Sequence, residues 1–214
     1  MHPLLKRFGI VSLSLSALLA WLPCAAAPDP KYVVKPVAQK KVAQLPAGPL
    51  YWRVETFPTL ADAKAAVGPD GWNPAAVRYE TTTSLIAEVD GRVWVATLGS
   101  KGASTPGGTK VAEIGPVPAI TAPEYGLRLN YGSGPAGAKT PVHSHPGSES
   151  FYVISGRLGQ RTPDGVHYVD AGHTMNGHAA NTTMQVFNAG DTDLKALIMF
   201  LVDAGKPFSV PAKY

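Results

Sequence analysis

The chain has 214 residues, a formal charge of +4, 22 glycines, 20 prolines and a single cysteine. That length can bury a substantial core, and so much glycine and proline with few charged runs favours a turn-rich β protein over a helical one. The positive charge is small and dispersed, which argues against nucleic acid as a partner.

In chain order, residues 1–26 read as a secretory signal peptide. Lys6 and Arg7 supply its positive end, Phe8 to Leu22 its apolar stretch, and the small residues from Cys24 onward a cleavage site after Ala26. The apolar stretch is short for a membrane-spanning helix of about 20 residues. Cleavage would remove Lys6 and Arg7, taking the charge from +4 to +2, and would remove Cys24, leaving no disulfide. The expected location is therefore secreted or periplasmic, with no stable membrane anchor after cleavage. Residues 27–49, rich in proline and lysine, are expected to form an extended linker without a function of their own.

Residues 50–120 read as an N-terminal β/α extension that packs on a C-terminal barrel. Tyr51 to Phe57 is a strand. Thr59 caps a short helix with Asp62 three positions on, and Gly68-Pro69 ends it. Leu85 to Val89 and Arg92 to Leu98 flank Asp90-Gly91, a two-residue hairpin signal. A glycine- and serine-rich loop runs from Gly99 to Thr109. This region has no His-x-His with a matching glutamate, so no second metal site is expected in it.

Residues 121–214 carry short strands with turn signals between them, as in a jelly roll or small barrel. Leu127 and Leu129 alternate with Arg128 and Asn130. Arg157 to Arg161 and Val166 to Val169 flank the turn Pro163-Asp164-Gly165. Ala196 to Val202 is apolar on both faces and should be buried on both sides. The predicted fold is mainly β, a barrel around a side-chain-lined cavity.

The chemistry concentrates between Gly137 and Gly156. His143 and His145, two apart in an extended segment, point the same way. Pro146-Gly147 makes a turn, and Glu149 opens a strand whose same face carries Phe151 and Val153. Two imidazoles and a carboxylate converging inside a β structure suit a divalent metal, with Fe, Mn, Cu, Ni and Zn not distinguished.

The spacing of Gly137, His143-Ser144-His145, Glu149 and Gly156 resembles the first conserved motif of the cupins, over roughly residues 125 to 205. The resemblance implies a β-barrel, a metal held by His143, His145 and Glu149, a small-molecule ligand or substrate, and a homodimer. The second cupin motif departs from its pattern. Asn188-Ala189-Gly190 resembles its end, yet Met184 stands where the third histidine belongs, Asn181 where the glycine does and Ala179 where the proline does. Three replacements are open: Met184 ligating through its soft thioether, His178 swinging in from the Gly177-His178 turn, or an open set of two histidines and one carboxylate. Gln185, Tyr152 and Arg157 are candidate helpers; His167 and His173 read as structural or exposed. No serine-histidine-acid arrangement, phosphate loop or reactive thiol is present. Two functions stay open. One is a metalloenzyme acting on a small oxygen-bearing organic molecule, dioxygenase-like or related; the other is a non-enzymatic module binding a small ligand or metal.

Overall fold

The structure, a computed structural model, describes residues 30–68 and 83–214. The expected signal peptide, residues 27–29 of the expected linker and Pro69 lie outside the described residues.

A central antiparallel sheet holds five strands in the order β1 (Val33–Val42), β6 (Tyr125–Gly134), β13 (Leu194–Asp203), β8 (Gly147–Ser155) and β11 (Thr174–Asn176). Facing it, β9 (Arg157–Thr162) lies between β10 (Gly165–Asp170) and β12 (Gln185–Asn188). The short β7 (His143–Ser144) pairs with β14 (Val210–Pro211), and His143 bridges to Met184 just ahead of β12. These two walls enclose the barrel interior, where Phe151, Val153, Ile198 and Phe200 of the large sheet meet Leu158, Val169 and Val186 of the smaller one. The fold is mainly β and cupin-like, as the sequence pattern implies.

Behind the central sheet stands a second sheet in the order β3 (Ser84–Val89), β4 (Arg92–Gly99), β2 (Tyr51–Phe57) and β5 (Thr109–Ile114). Trp52, Val54, Trp94 and Leu98 of that sheet pack on Leu127, Leu129, Leu197, Met199 and Leu201 of the central one. The helix α1 (Leu60–Val67) covers the far face through Ala63 and Val67 against Phe57, Val93 and Val95. The layers therefore run helix, sheet, sheet, sheet, and both faces of the central sheet are covered, the front one around a cavity. That explains β13. Its odd-numbered Leu197, Met199 and Leu201 join the cluster between the two large sheets, and its even-numbered Ala196, Ile198, Phe200 and Val202 join the barrel interior. A strand covered on both sides must be apolar at both parities.

Local signals act as their chemistry dictates. Thr59 Oγ1 accepts from the Asp62 amide at 3.1 Å, satisfying a donor that the first helical turn leaves open. Gly68 closes the helix with φ of 81°, an uncommon conformation for other residues. Asp90 and Gly91 both take positive φ, 54° and 71°, as a primed two-residue turn requires.

The linker expectation is corrected. Residues 33–42 are not a tether: they form β1, hydrogen-bonded along β6 from Val33 opposite Ser133 to Val42 opposite Tyr125. Proline lacks an amide to donate, so in a sheet it belongs at an edge or a bulge. Pro36 has both: β1 is an edge strand, and its register shifts between Pro36 and Ala38. The extra residue lets Val37 and Ala38 both reach the apolar layer behind the sheet.

Candidate functional site

Register places the site residues. On β6, Arg128 lies opposite Phe200 and Asn130 opposite Ile198, and directly opposed residues of an antiparallel pair share a face. Phe200 in turn lies opposite Glu149 of β8. Arg128, Phe200 and Glu149 thus form one inward-facing row across three strands. The alternation on β6 is inverted relative to a surface strand: leucines face the second sheet, and the polar residues face the barrel interior.

That interior holds a cavity of about 450 Å³ lined by, among others, His143, His145, Glu149, Arg128, Tyr32 and Phe208. His143 donates from Nδ1 to the Pro141 carbonyl at 2.8 Å, and His145 from Nδ1 to the Phe208 carbonyl at 2.6 Å. A carbonyl can only accept, so each neutral ring carries its proton on Nδ1 and leaves Nε2 with a free lone pair. The two rings meet edge to face with centroids 4.8 Å apart, and His145 also packs on Phe200 and Phe208 at 4.9 and 4.7 Å.

Burial sets the protonation states. It pushes His145 down to about 4, helped by the nearby His143 and Arg128 and opposed by the Phe208 carbonyl. Burial also pushes Glu149 up to about 8, opposed by Gln160, whose Nε2 donates to Glu149 Oε2 at 3.0 Å. Tyr32 is pushed far up by burial and by the charge of Glu149. Without a cation, the site holds these groups in their uncharged forms at neutral pH.

The motif glycines answer backbone demands. Gly137 and Gly156 have φ of 75° and 76°, and a side chain at Gly156 would also meet the Asp193 carbonyl at 2.8 Å. Gly177 packs against the Glu149 carbonyl so closely that a Cβ could not fit. Asn188 ties the closing turn: its Nδ2 donates to the carbonyls of Gly134 and Thr192, and its Oδ1 accepts from Gly190.

Of the two candidate fourth ligands, Met184 borders the site, sharing the Gln160 amide with Glu149 and bridging to His143 through its backbone, whereas His178 lies apart. Met184 is fully buried, its sulfur accepts from Gln160 Nε2 at 3.3 Å, and it is not among the cavity-lining residues. His178 packs against His167, ring centroids 5.6 Å apart, and is likewise absent from the lining. The candidate helpers also point away. Tyr152 packs tilted against Trp94 between the two large sheets, Arg157 lies 3.5 Å from Asp170 at the surface, and Gln185 donates to the Thr140 carbonyl. Tyr32, Arg128, Gln160 and Phe208 are the residues that sequence reasoning missed. The signal that could have found two of them was polarity inside the barrel: a charge on the strand flanking a doubly apolar one, and a glutamine on the strand that follows the glutamate's.

The donors suit a divalent ion in type: two imidazoles with Nδ1 held by backbone acceptors and Nε2 free, and one carboxylate, all from residues that line a single cavity. Among the described residues, however, no group of three or more His, Cys, Asp and Glu side chains is gathered closely enough to hold a metal. The donor set fits; its closure around an ion would need side-chain movement.

Neither a protein-family model nor a curated protein sequence matches the chain. Solved structures do match. A cupin superfamily protein from Desulfitobacterium hafniense is 14% identical over 36% of this chain and 68% of that one, with a TM-score of 0.33. A cupin-like protein from Thermotoga maritima is 17% identical over 40% and 64%, with a TM-score of 0.37. A recombinant oxalate oxidase in complex with glycolate is 23% identical over 40% and 45%, with a TM-score of 0.34. The chain thus spans between 45% and 68% of the length of these proteins. By its motif spacing, strand order and enclosed cavity, the chain has a mainly β, cupin-like fold, to which β1 also contributes a strand.

Proposed function

We propose that this protein binds a divalent metal through His143, His145 and Glu149 and acts on a small oxygen-bearing organic molecule in the barrel cavity. The observation that carries the reading is that His143, His145 and Glu149 line one cavity, with each histidine ring fixed by a backbone carbonyl at Nδ1 so that Nε2 stays free to ligate. A bound divalent ion would supply Lewis acidity toward an oxygen ligand.

The chain's own residues supply the rest. The Pro141 and Phe208 carbonyls fix both imidazole tautomers. Gln160 orients Glu149, and the Phe200 and Phe208 rings exclude water from His145. Glu149 can hold a proton in the empty site and release it when a cation arrives. Export by the residue 1–26 signal and pairing of two barrels into a homodimer belong to the same proposal, supported by sequence pattern and by family resemblance respectively. Among the described residues no helix is long and apolar enough to cross a membrane.

A second reading, a non-enzymatic binding module, draws on the open spacing of the donors and on Met184 in place of a third histidine. Elemental analysis of the protein purified from its exported compartment, beside His143→Ala/His145→Ala, tests the metal site on which the first reading depends. Near-stoichiometric metal that is lost in the variant supports the metal site. No metal in either protein, even after reconstitution, overturns it and leaves the binding module.

A further inference from the structure

Among the described residues, Arg128 is the one lysine or arginine lining the cavity. Its guanidinium lies over the Phe208 ring at 4.0 Å, and its Nε donates to Asn130 Oδ1 at 2.9 Å. Those two contacts fix the plane of the fork and use one of its five N–H groups. No carboxylate of the described residues pairs with it. Burial depresses its basicity, so the charge stands in a desolvating setting without a compensating partner.

The row across the sheet gives the scale. Arg128 and Glu149 are separated by the single strand β13 and share its inward face, so their backbones stand roughly 10 Å apart. Phe200 fills the row between them and forms an apolar floor with Ile198, Val186 and Phe208. Further along β6, the buried Tyr32 hydroxyl lies over Gly132 with no hydrogen-bond partner. The cavity therefore offers a fixed cation at one end and an apolar floor.

We propose that Arg128 is the anion anchor of this cavity and that the ligand is a small organic carboxylate with an apolar body. A planar carboxylate matches the fork with two parallel hydrogen bonds, and an apolar body covers the phenylalanine floor. This deepens the function proposed above by naming the ligand class, and it rests on the cavity being the ligand site. It does not rest on the metal.

The test pairs acids with neutral mimics: acetate, butyrate and benzoate, each against its primary amide, titrated into metal-free protein by calorimetry. At least one carboxylate should bind about tenfold or more tighter than its amide, as a charge-assisted bidentate contact provides. That preference should vanish in Arg128→Gln and persist in part in Arg128→Lys. If no carboxylate outbinds its amide, or if the preference survives Arg128→Gln, the proposal is wrong. If Arg128→Gln does not fold, the acid–amide comparison in the unaltered protein and Arg128→Lys decide. Failure of the metal reading shows separately, as absent metal with the acid preference intact.

Discussion

The two faces of the central sheet are built from the same strands and could hardly differ more. Behind it, Trp52, Trp94, Leu127, Leu129, Leu197 and Met199 form a dry layer between two sheets. In front, the neighbouring positions of those strands present Arg128, Asn130 and Glu149 to a cavity. On β6 and β13, changing residue parity changes the role from stability to recognition. The dry layer lets the barrel side carry buried titratable groups that make stability depend on pH.

The largest expected effect tests the dry side. Trp94→Ala removes a fully buried ring that packs tilted against Tyr152 and should cost about 3–5 kcal/mol in chemical denaturation. Because the cavity lies on the other face, the folded fraction should keep the metal stoichiometry of the unaltered protein. Metal loss on folded Trp94→Ala would show that the two faces are not independent.

The next effect tests the wet side. Glu149 has a raised pKa in the fold, so its protonated form is the one folding favours. Its contribution is complete below the ordinary value near 4.5 and is lost as pH climbs toward about 8. Metal-free protein should therefore lose stability over that window, on the order of 5 kcal/mol at most. Glu149→Gln should flatten this slope in denaturation curves collected across pH. His145 works in the opposite sense: its lowered pKa means stability falls as pH drops from 6.5 toward about 4, and His145→Gln should remove that acid limb.

Smaller effects sharpen the boundary. Met184→Leu conserves volume and should cost less than about 1.5 kcal/mol. Metal stoichiometry should not change, because the sulfur is engaged by Gln160; a clear drop would restore Met184 as a ligand. Thr59→Ala, at the cap of a helix remote from both faces, should cost about 1 kcal/mol in thermal melts with no change in ligand binding.

Much of this division could be read from the sequence where one residue has one dominant role. The doubly apolar run at 196–202 announced a covered sheet, and Asp90-Gly91 announced a turn, because each signal is local. The motif spacing likewise put His143, His145 and Glu149 on one cavity. Strand β1 was illegible because lysines and Pro36 look like a tether, and only the edge position and bulge make them compatible with a ladder. Arg128 and Tyr32 were illegible for another reason. Alternation shows that two faces differ but not which one looks inward, and only the second sheet behind the barrel decides that.

The cavity wall draws on Tyr32 near one limit of the described chain and on Phe208 near the other. His145 owes its tautomer to that late carbonyl, and Tyr32 sits against Gly132 of a strand almost a hundred positions on. Contacts of such long sequence separation form late, after their loop-closing entropy has been met by other structure. A growing chain can thus complete the helix and the β3–β4 hairpin well before it owns a pocket. Ligand recognition should be among the last properties acquired on refolding, which makes recovery of binding a stricter gauge of complete folding than recovery of strand content.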